Sequence, residues 1–93
     1  MTAQDHATAG LSRQRINEIA TRVLADLTQR DEDSLDQGVR LFLDLGLTSL
    51  NALELIMLLT DELGVRLKTD ALDWRHLETL GSLTHYVAEQ TGI

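Results

Sequence analysis

The sequence predicts an all-α fold, a small four-helix bundle of three main helices and one short one. Apolar residues recur at three- and four-residue steps through three separate segments. Each segment follows a Ser or Thr placed to cap it: Ser12, Thr48 and Thr79. None of the 93 residues is proline, and the hydrophobic share of 43 % is ordinary for a globular chain. With Phe42, Trp74 and Tyr86 as the only aromatics, the core must be mostly Leu, Ile, Val and Ala.

Residues 1–10 are small and polar and read as a flexible tail, with the folded domain spanning residues 11–93. Ser12 is the expected cap of the first helix, with Leu11 and Ile16 placed as a hydrophobic staple. Ile16, Ile19, Ala20, Val23, Leu24 and Leu27 then form one apolar stripe, which predicts a helix from about Arg13 to Thr28. The connection from Gln29 to Leu47 is long for so small a domain. Leu35, Val39, Leu41, Phe42 and Leu45 can anchor it, so an ordered loop is expected.

The second helix is predicted from Ser49 to Leu63. Thr48 caps it by accepting from the N–H of Leu50 or Asn51, and Gly64 ends it in a left-handed conformation. It is apolar on most sides, as expected of a central helix, with a polar strip of Asn51, Glu54, Asp61 and Glu62 that includes Leu58. Val65 and Leu67 can tie its exit to the core. Asp70 is the expected cap of a short third helix, Ala71 to about His76. Its Trp74 is read either as an ordinary core residue or as a border of the space beside the second helix. Thr79 caps the fourth helix, in which Leu80, Leu83, Val87 and Tyr86 face inward and which ends at Gly92.

Fifteen acidic against eight basic residues give a net charge of −7, which repels nucleic-acid phosphates and anionic lipid and favours basic protein surfaces. The chain has no cysteine, hence no disulfide, thiolate metal site or catalytic thiol. The start MTAQDHATAG lacks the basic and apolar regions of a signal peptide, and the longest apolar run, Leu55 to Leu59, is far too short to span a bilayer. A cytoplasmic protein is expected.

Ser49 stands in the first turn of a helix directly after a glycine-containing loop. Free N–H groups and the positive end of the helix dipole converge there, so a phosphate on Ser49 is favoured. The run Asp44-Leu45-Gly46-Leu47-Thr48-Ser49-Leu50, followed by Glu54-Leu55 and by Asp61-Glu62-Leu63-Gly64-Val65, resembles the prosthetic-group site of the acyl carrier protein family. In that family the serine of this motif bears 4′-phosphopantetheine through a phosphodiester, so the resemblance implies Ser49 as the attachment residue. It also implies a carrier rather than an enzyme: the holo form holds an acyl or related group as a thioester and presents it to successive enzymes. Its implied partners are a phosphopantetheinyl transferase and acyl-loading and acyl-processing enzymes. They would grip the second helix at Leu50, Glu54, Leu58 and Asp61, and the carrier is expected to be a monomer. The family most often has Asp where this chain has Thr48, which keeps the capping oxygen but removes a charge beside the phosphate.

Other readings explain less. A plain helix-start serine leaves the whole run from Asp44 to Leu50 without a reason. A serine hydrolase with His76 or His85 as base lacks the small residues that flank a nucleophile elbow, since Leu47 and Asn51 stand there. The two histidines lack the neighbours of a zinc site. The acidic start of the loop, Asp31 to Asp36, fails as a calcium loop because Leu35 and Phe42 fall on liganding positions. The remaining rival is an unmodified acidic helical interaction module. Within the carriers, the run L-F-x-x-L-G-L-x-S-L is similar to those of polyketide and specialised-metabolite pathways, with amino-acyl and fatty-acid carriers as alternatives. A free-standing carrier is expected, an excised domain of a larger synthase being the alternative.

Overall fold

A computed structural model describes residues 12–67 and 72–92. Three α-helices make the frame: α1 (Arg13–Thr28), α2 (Ser49–Leu63) and α3 (Leu80–Thr91). Two 3₁₀ turns, Glu32–Ser34 and Trp74–Leu77, lie in the connections. Both α2 and α3 pack on α1, which is therefore the spine of the bundle. The expected tail lies outside the described residues, as do Leu11 of the proposed staple and Ile93.

The helix ends follow local chemistry. Ser12 Oγ accepts from the Arg15 N–H at 3.1 Å and starts α1 where expected. Gln29 closes that helix in the left-handed region, at φ 59°, with its N–H on the carbonyl of Ala25. Thr79 Oγ1 accepts from the Ser82 N–H at 3.0 Å and starts α3, which Gly92 ends at φ 80°.

The core is aliphatic. Ile16, Leu24, Leu41, Leu55, Leu59, Leu80, Leu83 and Val87 are fully enclosed, and Tyr86 is its buried aromatic. Two expectations meet their outcome here. The short third helix is described only from residue 72 onward. The described part is a 3₁₀ turn at Trp74–Leu77 capped by Asp73, whose Oδ1 accepts from the Arg75 N–H at 2.8 Å. Asp70 and Ala71 lie outside the described residues. A turn of four residues can direct only one large apolar side chain inward, and that is Leu77. Trp74 is therefore not a core residue; it stands 65 % exposed.

The long loop is ordered by its own anchors, as expected: Leu35 and Leu41 are buried, and Val39, Phe42 and Leu45 pack against the core. It is also tied to the start of α3. Leu41 N–H donates to the Glu78 carbonyl at 3.0 Å, Leu80 N–H to Val39 at 3.0 Å, and Gly81 N–H to Gln37 at 2.9 Å, around an antiparallel bridge between Arg40 and Thr79. A side chain at Gly81 would place its Cβ 3.1 Å from the Gln37 carbonyl oxygen, a tight contact that loop or helix would have to ease by a few tenths of an ångström.

Candidate functional site

The loop reaches α2 through a pinned turn. The Asp44 carboxylate accepts from the Arg40 main-chain N–H at 2.9 Å and from the Arg40 guanidinium at 2.9 and 3.3 Å. Hydrogen bonding from the Arg40 side chain holds the Asp44 carboxyl below the usual carboxylate range and in turn raises the Arg40 guanidinium. Gly46 follows at φ 71°, a left-handed position that a side chain would strain. Leu47 is then buried, with its N–H on the Leu41 carbonyl at 3.1 Å. These anchors fix where α2 begins.

At that beginning the capping work falls entirely to Thr48 and Asn51. Thr48 Oγ1 accepts from the Asn51 N–H at 3.1 Å, and Asn51 Oδ1 accepts from the Thr48 N–H at 3.3 Å, a reciprocal capping box. Ser49 is thereby relieved of any structural duty. Its hydroxyl is exposed and makes no hydrogen bond among the described residues. The main-chain N–H groups of Ser49 and Leu50 likewise lack a partner among the described residues and sit at the positive end of the helix.

Beside Ser49 runs an open, mainly apolar groove of about 310 Å³. Phe42 from the loop, Ala52 and Leu53 from α2, and Leu72, Trp74 and Leu77 from the third segment line it, with Ser49 and Asp73 completing the wall. The Arg75 main-chain N–H, and then its side chain, bond to Asp73 and lower that carboxyl.

The combination of an uncommitted hydroxyl, unpaired N–H groups at a helix start and an adjoining apolar groove suits a serine that bears a phosphate-linked group. The model of the phosphopantetheine attachment site family matches residues 18–87, a stretch that contains the loop, all of α2 and most of α3. The chain belongs to that family. No curated protein matches it significantly. Domains of this family are carriers rather than catalysts; they bear 4′-phosphopantetheine and work with phosphopantetheinyl transferases and biosynthetic enzymes.

The other residues of interest fall as follows. In the carrier, Leu50, Glu54 and Asp61 share one exposed face of α2. Leu58, 37 % exposed, lies at the α1 edge of that face, beside Val23, Asp26 and the ion-paired Arg22 and Glu62. α2 is apolar on most sides, as expected, but it does not have the burial of a central helix: only the face of Ala52, Leu55, Ile56 and Leu59 is buried. Leu53 and Met57, 50 % and 63 % exposed, stand in the same outward stripe as Leu50, 73 % exposed. Sequence reasoning missed Leu53 and Met57 as surface residues. The available signal was an excess: α2 carries more large apolar side chains than one packed face can cover. The histidines have ordinary surroundings. His76 stacks on Tyr86 with ring centroids 4.6 Å apart and accepts from the Asp73 N–H, while His85 lies between Arg13 and Glu89. No group of side chains suited to a metal ion occurs among the described residues, and no described helix is long and apolar enough to cross a membrane.

Proposed function

We propose that Ser49 is the residue that carries the 4′-phosphopantetheine arm, and that the chain acts as a monomeric carrier in a polyketide or related specialised-metabolite pathway. One observation bears most of the weight. Thr48 and Asn51 cap α2 between them, so Ser49 Oγ is left exposed and without a hydrogen-bond partner among the described residues at a helix start. A phosphate on that oxygen lies within reach of two unpaired N–H groups and the helix dipole. The arm supplies a terminal thiol that holds cargo as a thioester. The protein contributes position: tethering raises the cargo's effective concentration at a docked enzyme.

Partners are proposed to grip the outward face of α2, with Leu50, Leu53 and Met57 as apolar contacts and Glu54 and Asp61 as charged ones. Leu58 contributes at the α1 edge of that face. Weak, electrostatically guided docking suits a carrier that must be released after each transfer. The assignment to polyketide-like pathways is supported by the run from Leu41 to Leu50. Leu47 stands where the second glycine of the G-G-x-S-L of peptidyl carriers would be, which favours this reading over an amino-acyl role.

The test is mass spectrometry of the protein after incubation with coenzyme A and a phosphopantetheinyl transferase. One phosphopantetheinyl unit is expected, localised to Ser49 by peptide fragmentation. Modification at Ser34 or Ser82, or none with several transferases, refutes the assignment.

A further inference from the structure

Leu43 is 77 % exposed, although it sits in one of the most firmly held turns of the molecule. The N–H groups of Asp44 and Leu45 both donate to the Arg40 carbonyl, at 2.9 and 3.2 Å, and Gly46 N–H donates to Phe42 at 3.0 Å. The Arg40–Asp44 bonds close the same turn from outside. With Leu41 and Leu47 drawn into the core, Leu43 is left pointing away from it. Its exposure is thus built in rather than a product of looseness.

Leu43, Phe42 and Trp74 frame a groove of about 180 Å³ whose remaining walls are Arg40 and Glu78. It shares Phe42 and Trp74 with the groove beside Ser49, and so lies at the same end of the bundle. The charges around it are nearly all spent within the chain: Arg40 is paired with Asp44, and Arg75 with Asp73. Glu78 is exposed and has no ion pair among the described residues. What a partner must complement here is one carboxylate next to an aliphatic side chain and an indole.

We infer that this groove is a second docking surface, separate from the face of α2, for a partner protein that presents an aliphatic side chain beside an Arg or Lys. The aliphatic group fills the space between Leu43 and Trp74. The cation reaches Glu78 and the face of the indole, which attracts it in addition. The α2 face offers two acids that have no ion pair among the described residues, along an apolar stripe, whereas this groove offers one acid and an aromatic. The two surfaces therefore select different partner chemistry. The inference rests on the carrier reading, because the partner in question is one that approaches the Ser49 end.

The probes are two capped dipeptides, acetyl-Leu-Arg-amide and acetyl-Leu-Glu-amide, titrated into ¹⁵N-labelled protein. The arginine peptide is expected to shift the amides of Leu43, Trp74 and Glu78 and the Trp74 indole. It should bind about three- to fivefold more tightly than the glutamate peptide, as a solvent-exposed ion pair allows. Glu78→Gln should erase that preference, while Leu43→Ser and Trp74→Ala weaken both peptides and leave the core amides in place. Equal binding of the two peptides, or shifts confined to α2, overturns the inference. So does a concentration-dependent dimer in sedimentation that Leu43→Ser abolishes, which gives the groove to a second copy of the chain. The carrier reading is scored apart, by whether the wild-type protein accepts phosphopantetheine at Ser49.

Discussion

The division of labour between Thr48 and Ser49 can be tested by separating stability from modification. Thr48→Ala removes the acceptor of the Asn51 N–H at 3.1 Å and with it half of the reciprocal cap. Loss of such a cap costs about 1 kcal/mol. For a domain of this size that lowers the melting temperature by about 4–8 °C. Ser49→Ala removes a hydroxyl that bonds to nothing among the described residues. It should leave stability unchanged or raise it by roughly a few tenths of a kcal/mol, since alanine is the better helix former. Urea unfolding followed by far-ultraviolet circular dichroism measures the first quantity, and mass gain from coenzyme A with a transferase measures the second. The expected outcome is a double dissociation: Thr48→Ala is less stable yet still modified, while Ser49→Ala is stable yet inert. If Ser49→Ala proves the more destabilised of the two, the serine hydroxyl has a structural task and the argument for its freedom fails. If the folded Thr48→Ala protein cannot be modified, the reactive position has been misassigned or depends on the cap.

Four further outcomes follow from the same geometry. Glu54→Ala and Asp61→Ala should each raise the transferase KM about two- to fivefold at low salt and have little effect at high salt, whereas Leu50→Ala and Met57→Ala should raise it at both; silence of all four at low salt moves the docking face elsewhere. Trp74 lines the groove beside Ser49 and is 65 % exposed, so loading the arm with acyl groups of increasing length should shift its emission to shorter wavelength; identical spectra for apo, holo and long-chain forms exclude the groove as the cargo's resting place. Asp44 has a pKa depressed on folding, so the bonds it accepts stabilise the turn above the ordinary carboxylate range and are lost only as pH falls through the lower, folded value; its carboxyl carbon resonance should titrate below the usual carboxylate range and return toward it in Arg40→Gln. Gly64 closes α2 at φ 66°, so Gly64→Ala should cost about 1 kcal/mol by denaturant unfolding even though nothing lies within 4 Å of the added Cβ.

What was legible in the sequence was what depends on neighbours along the chain. Ser12, Thr48, Gly64 and Thr79 act on the turns next to them, and the ends of α1, α2 and α3 fall where these residues place them. The position of Ser49 was readable for the same reason. The outward face of α2 was readable only in part, at Leu50, Glu54 and Asp61, because which of its other apolar residues meet water depends on how α1 lies against it. Apolar character alone does not separate Leu53 and Met57 from the buried Leu55 and Leu59 until that packing is known. Of the two readings of Trp74 the core one failed: its size argues for burial, but a short 3₁₀ turn has room to bury only Leu77, and Trp74 borders the groove beside Ser49 instead. The Arg40–Asp44 clamp left a weak trace in its spacing. The ties from Gln37, Val39 and Leu41 to residues 78–81 join distant stretches through main-chain atoms, which no side-chain pattern reports.

Those ties give the molecule a topology that its helical content conceals. Helical bundles usually assemble from contacts close in sequence and fold quickly as a result. Here the main-chain N–H groups of Leu41, Leu80 and Gly81 must find carbonyls some forty positions away before the loop can hold Leu47, and Leu47 is what delivers the chain to Ser49. The serine is thus correctly presented only after closures of some forty residues are complete. A chain in which α1 and α2 have docked but α3 has not is a helical hairpin with an undefined entry to its modification site. An enzyme that recognises the beginning of α2 consequently reads the completeness of the whole domain.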